Sequence, residues 1–191
     1  ALELARTLQN DWLLALTLLI LGNNIAILQG IEAAQPTLEE SLRLARAVGD
    51  PWLMSLDVRT MAVVASLTGD SPSALRLFDE CIGTMRQVGD RWGLSYALVG
   101  LSYEYLRGGQ IDQAKMQLDE SLTLAREIAS ATSMAIVLLG YAGLAAACGQ
   151  PTRAAQLIGA ADGIAASINA RWWPTEQFAY DFIDALIRAL L

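Results

Sequence analysis

No histidine occurs among the 191 residues. Its absence removes the commonest general base and the commonest metal ligand together. Ser/His/Asp and Cys/His nucleophilic arrangements go with it. The GxxxxGK loop that would cradle a phosphate is missing too. Cysteine is scarce: Cys81 and Cys148 stand apart at non-equivalent positions with no metal-site spacing. They read as small buried residues in a reducing compartment, with a disulfide as the alternative. Positive charge is short, with 13 Lys and Arg against 20 Asp and Glu and a net charge of −7. Direct nucleic-acid binding calls for a basic stripe, so this balance argues against it. Long apolar runs are also wanting. Residues 12–21 are almost unbroken apolar, but Gly22-Asn23-Asn24 ends the run after ten residues, and a membrane span needs about 20. No signal peptide precedes it. The expected class is a cytoplasmic chain without catalytic residues, metal or cofactor.

What the chain does have is apolar residues, at 54% against 17% charged, and a period. Trp12, Trp52, Trp92 and Trp172 fall on one 40-residue grid, broken only at Thr132. Val48-Gly49-Asp50-Pro51-Trp52 returns as Val88-Gly89-Asp90-Arg91-Trp92. A fixed period in this range marks a repeat array. Residues 11–50, 51–90, 91–130 and 131–170 are then four copies of a helix pair, and 1–10 are the end of a truncated copy. Residues 171–191 complete one repeat domain as a terminal cap. The first ten residues, ALELARTLQN, align with SLRLARAVGD at 41–50. They are expected to be the last turns of a helix that began upstream in a longer protein.

Punctuation supports the division. Asn10 or Asp11, Asp50, Asp90 and Ser130 are N-cap candidates, and Pro51 and Pro72 suit first helical turns. Gly49 and Gly89 suit the left-handed position that ends a helix. Pro36 is awkward inside the second helix of the first copy, and a helix start at Pro36 resolves it. Ala34, Ala74, Ala114 and Ala154 share one slot in the second helices, followed four residues on by Leu38, Phe78, Leu118 and Ile158. Residues four apart lie on one helix face, so each second helix offers a close-approach point beside a bulky knob. Phe178, Phe182, Ala185, Ile187 and Leu190 give the segment from Pro174 an apolar face, as a terminal capping helix requires.

Gly109-Gln110-Ile111-Asp112-Gln113-Ala114, followed by Leu118, Ser121 and Leu122, resembles the second-helix signature of the tetratricopeptide repeat. Leu98, Leu101, Ser102 and Tyr105 match its first-helix spacing. The likeness covers nearly the whole chain, although the period of 40 exceeds the usual 34. The long form with its Gly-Asp-x-Trp junction is similar to the C-terminal repeat regions of large bacterial signalling ATPases and transcriptional activators. The resemblance implies an all-α, right-handed superhelical solenoid of antiparallel helix pairs with a C-terminal capping helix. It further implies a concave surface lined by the first helices, where a protein segment or effector binds. Slot by slot, that surface takes Leu16, Leu19 and Asn23; Leu56, Arg59 and Val63; Tyr96, Val99, Tyr103 and Arg107; then Ile136, Leu139 and Gly143.

Asn23, Arg59, Tyr96, Tyr103 and Arg107 are the groove candidates, because they alone are not plain aliphatic or glycine. Each has a structural alternative. Tyr96 and Tyr103 suit packing as well as contact. Arg59 has Asp57 two residues away. Arg107 ends a helix, where its charge complements the dipole. Asn23 and Asn24 interrupt an apolar helix and need hydrogen bonds there; Asn24 and Glu104 share a slot. The paired acids Glu39-Glu40, Asp79-Glu80 and Asp119-Glu120 recur in one slot, which reads as a solvated helix face rather than a catalytic dyad. The expected function is a non-catalytic interaction or regulatory module of a larger bacterial signalling or transcription-regulatory protein. Self-association through the N-terminal edge, which gives a homo-oligomer, and small-molecule effector sensing are the two alternatives.

Overall fold

The computed structural model describes residues 2–168, and over this span the chain is helical. Trp172 and the capping helix expected from Pro174 lie outside the described residues. Nine helices follow in order among the described residues: α1 Leu2–Thr7, α2 Asp11–Gln29, α3 Ile31–Val48, α4 Pro51–Leu67, α5 Ser71–Val88, α6 Arg91–Arg107, α7 Ile111–Glu127, α8 Ala131–Ala147 and α9 Pro151–Ser167. They pack as hairpins: α2 on α3, α4 on α5, α6 on α7 and α8 on α9. The chain divides into two compact units at Gly89, with α1–α5 in the first and α6–α9 in the second.

Local chemistry places the breaks where the 40-residue grid predicts. The side chains of Asn10, Asp50, Asp90 and Ser130 each accept a hydrogen bond from the backbone N–H three residues on. These satisfy donors that the first turn of a helix leaves open. Asp50 does more. Its Oδ1 caps α4 through Leu53 N–H at 2.9 Å, while its Oδ2 accepts from the indole Nε1 of Trp12 at 3.0 Å. The two indoles of Trp12 and Trp52 stack, with centroids 6.3 Å apart and planes 16° apart. One carboxylate thus starts a helix and holds the aromatic seam beside it.

Inside each hairpin the small slot is where the helices meet. Ala34, Ala74, Ala114 and Ala154 are all fully buried, and Leu38, Phe78 and Leu118 are buried beside them. A Cβ on Gly22 of α2 would fall 2.5 Å from the Leu38 side chain, which shows how closely α2 and α3 approach. A second period of small residues escaped the sequence reading. Ser41 Oγ donates to Ala15 carbonyl at 2.8 Å in the first hairpin, and Ser121 Oγ donates to Ser95 carbonyl at 2.8 Å in the third. Both pairs are 26 residues apart and buried, so a hydroxyl crosses between helices at the same level.

Pro36 is a correction. The helix does not begin there: α3 starts at Ile31 and carries Pro36 in its interior. The break is made instead by Gly30, at φ 93°. Proline removes one helical hydrogen bond, but fully buried Ala34 packs the preceding turn into the hairpin. Tertiary packing here outweighs a local cost of about 3 kcal/mol.

The second unit repeats the plan, including a seam between its hairpins. Both α6 and α7 pack against α8. A Cβ on Gly140 would lie 2.4 Å from Leu118 Cδ2 and 3.3 Å from Val99 Cγ1. Leu118 is fully buried and has no room to retreat. Gly140→Ala is expected to destabilise this unit by roughly 1–3 kcal/mol through overpacking. The slot of Gly49 and Gly89 is filled by Ala129, which keeps the left-handed conformation at φ 49°. Ala129→Gly is expected to stabilise the chain by about 0.5–1 kcal/mol, because a Cβ is strained there. Urea unfolding of both variants checks the two opposite signs.

Candidate binding surface

The five groove candidates fall in both units. Asn23 on α2 and Arg59 on α4 belong to the first; Tyr96, Tyr103 and Arg107 lie along α6 in the second. Helix α6 is mostly core, with Leu94, Ala97, Leu98, Leu101 and Leu106 all buried. Its polar groups are therefore held by packing on several sides.

Tyr96 is half-buried, and its ring lies 4.3 Å from that of Trp92 at a tilt of 32°. Tyr103 is only 4% exposed and sits in the apolar cluster with Val99, Ile136 and Leu139. Burial drives its phenol far above the usual tyrosine range. Arg107 closes α6, and its Nη1 lies 3.3 Å from Glu104 Oε1. The Glu104 side chain is 0% exposed and that of Arg107 is 26% exposed. The guanidinium is therefore more than a solvated helix-end charge. It is held over a buried carboxylate and reaches solvent above it, and a partly buried pair of this kind is screened less than one in open water.

In the first unit Arg59 is half-buried. Its charge acts on the Cys81 thiol of α5: burial dominates over the opposing pull of Arg59, and the thiol is raised to about 12. Asn23 is half-buried, whereas Asn24 is exposed and donates from Nδ2 to Ile20 carbonyl at 2.7 Å. Asn24 thereby satisfies itself within its own helix. Glu104, in the same slot of α6, is buried and ion-paired.

The surface acids behave as a solvated face with one addition. Glu39, Glu40, Asp79, Glu80 and Asp119 are exposed. Asp119 is engaged from both sides: Lys115 Nζ approaches Oδ2 at 2.6 Å, and the Tyr141 hydroxyl of α8 donates to Oδ1. These partners hold its carboxyl below the usual range, the Lys115 contact most strongly. The trio ties α7 to α8.

One buried acid was missed by sequence reasoning. Asp57 of α4 is 1% exposed, and burial raises its carboxyl to about 6 against a lowering contribution from Ser41. Ser41 donates its own proton to Ala15 carbonyl, and burial outweighs its effect on Asp57. The signal was present in the grid: Asp57 occupies the slot of Thr17, Ala97 and Val137, the one acid among small or apolar residues. No group of three or more His, Cys, Asp and Glu side chains suited to a metal ion occurs among the described residues. No described helix is long and apolar enough to cross a membrane. Comparison with known protein families and with curated proteins gives no significant match to this chain.

Asp57 sets a pH dependence. Its unfolded carboxyl titrates near 3.8, and the folded one near 6. A carboxyl raised by folding favours the folded state at low pH, and that contribution is lost as pH rises between those two values. Asp57→Asn is expected to match the wild-type stability near pH 4 and exceed it by on the order of 1–3 kcal/mol at pH 7. Urea unfolding across this range measures the difference; one that stays constant with pH would contradict the assignment.

Proposed function

We propose that the helix pairs are repeats of the tetratricopeptide kind, the basis of a right-handed superhelical array, and that the chain is a non-catalytic interaction module. Its task is to hold a segment of another protein for a larger cytoplasmic bacterial signalling or transcription-regulatory protein. The support comes from α6. Half-buried Tyr96 lies against Trp92, and Arg107 near the end of the same helix is braced by buried Glu104. Tyrosine, tryptophan and arginine are the residues that most often anchor protein interfaces. An aromatic pair and a fixed cation on one helix offer apolar contact at one end and a directed donor at the other.

Tyr103 supports this reading from behind rather than by contact, since it packs under the surface. Asn23 and Arg59 extend the reading to the first unit as separate polar positions. A small-molecule effector is the other class of ligand that the same groups admit.

A displayed library of linear peptides, selected on the full chain, tests the proposal. Selected peptides should lose about tenfold or more in affinity with Tyr96→Ala and with Arg107→Ala, as anchors do, while helicity by circular dichroism is unchanged. Selected peptides that bind both variants as tightly as the wild type would overturn it, as would a selection no richer than one on an unrelated helical protein.

A further inference from the structure

In the first unit, hairpin α2–α3 meets hairpin α4–α5 along a seam that α4 makes with α3 and α2. Most of this seam is apolar. Leu53 of α4 is buried with Ala15 and Leu18 of α2 and with Leu44 and Ala45 of α3, and Trp12 stacks on Trp52. Asp57 breaks the pattern. It is 1% exposed, and neither of its carboxylate oxygens has a hydrogen-bond partner among the described residues. The Ser41 hydroxyl of α3 lowers its pKa, but burial outweighs that effect, and Ser41 has given its own proton to Ala15 carbonyl.

The second unit builds the same seam without an acid. Ser121 and Ser95 repeat the hydroxyl contact of Ser41 with Ala15, and the slot of Asp57 holds fully buried Val137. An apolar side chain therefore fills this slot well. A carboxylate there is disfavoured whenever it is charged.

The charges around Asp57 point elsewhere. Helix α2 carries none from Trp12 to Gln29. On α3, Glu32, Glu39, Glu40, Arg43 and Arg46 are exposed, and on α5, Arg76, Asp79, Glu80 and Arg86 are exposed. The titratable groups turned inward with Asp57 are Cys81 of α5, raised to about 12, and half-buried Arg59 of α4, whose charge acts on that thiol. Histidine is absent, so the side chain that ordinarily titrates between pH 5 and 7 is missing. Asp57, raised by burial to about 6, takes that range.

We propose that Asp57 is a pH-operated latch: protonated, it closes α2–α3 onto α4, and ionised, it frees α1–α3 to open as a unit while α4–α5 stays paired. Opening hydrates the carboxylate and uncovers the Trp12–Trp52 stack and Leu53. A carboxyl raised in the closed form holds its proton more tightly there. The closed form is therefore favoured at low pH and loses that advantage as pH rises between 3.8 and about 6. The latch involves no group on α6, so it stands or falls apart from the proposed interaction surface.

Hydrogen exchange read by mass spectrometry on the full chain tests it, at pH 5 and pH 7 with rates corrected for the intrinsic pH dependence. Amides of α2 and α3 should exchange about tenfold faster at pH 7, while those of α5 and α7 keep one corrected rate. Asp57→Asn should abolish the step. Asp57→Val, which copies Val137 of the second unit, should abolish it too, with α2 and α3 held at the slow rate. A step that survives both substitutions, or a wild type that shows none, would overturn the proposal. So would a step shared equally by α5, which marks unfolding of the whole unit rather than opening of the seam.

Discussion

Each hairpin rests on one close approach between two helices. It requires a residue with almost no side chain at a fixed level of the second helix and a large one a turn later. Ala34, Ala74, Ala114 and Ala154 meet the first requirement with full burial, and Leu38, Phe78 and Leu118 meet the second. Once that level is fixed, the 26-residue serine contacts fall into place, since Ser41 reaches Ala15 and Ser121 reaches Ser95 at matching heights. The caps at Asn10, Asp50, Asp90 and Ser130 then only need to begin each pair at the right residue. Length, turn and packing agree, and agreement of this kind is what lets a sequence specify one structure.

The surface chemistry follows from how much of each helix is covered. First helices α2, α4, α6 and α8 are apolar on most sides, so the polar residues they carry are few and held in place. Glu104 is buried under Arg107, Asp57 is buried beside Ser41, and Tyr103 is packed under the α6 surface. In each case burial, rather than a dedicated motif, gives the group its character. The junction residues make the same point. Asp50 has the look of a reactive acid in a recurring motif, yet its two oxygens are taken by Leu53 N–H and the Trp12 indole. It is a structural clasp.

Repetition made much of the fold legible. The caps, the turn glycines and the alanine slot were all readable at 40-residue spacing, and the helices start within a residue or two of those marks. Pro36 misled because its local preference is real but packing at Ala34 overrides it. The candidate surface was harder to read. A helix with a polar stripe announces which side faces water, whereas α6 and α8 have no such stripe. The residues that the repeat resemblance set on an open face, Val99, Tyr103, Ile136 and Leu139, lie in the apolar cluster of the second unit. Contact between α6 and α8 covers them, and no periodicity in the sequence distinguishes that contact from an open groove. Asp57 and Glu104 were visible only as departures from their slots.

The central claim is that slot, not composition, decides what each alanine does. Ala154 and Ala155 are neighbours on α9: the first is fully buried in the close-approach slot and the second is exposed. Leucine at each position changes composition identically. Urea unfolding of Ala154→Leu should show a loss of roughly 1–3 kcal/mol from overpacking, while Ala155→Leu should stay within about 0.5 kcal/mol of the wild type. Equal effects at the two positions would contradict the account.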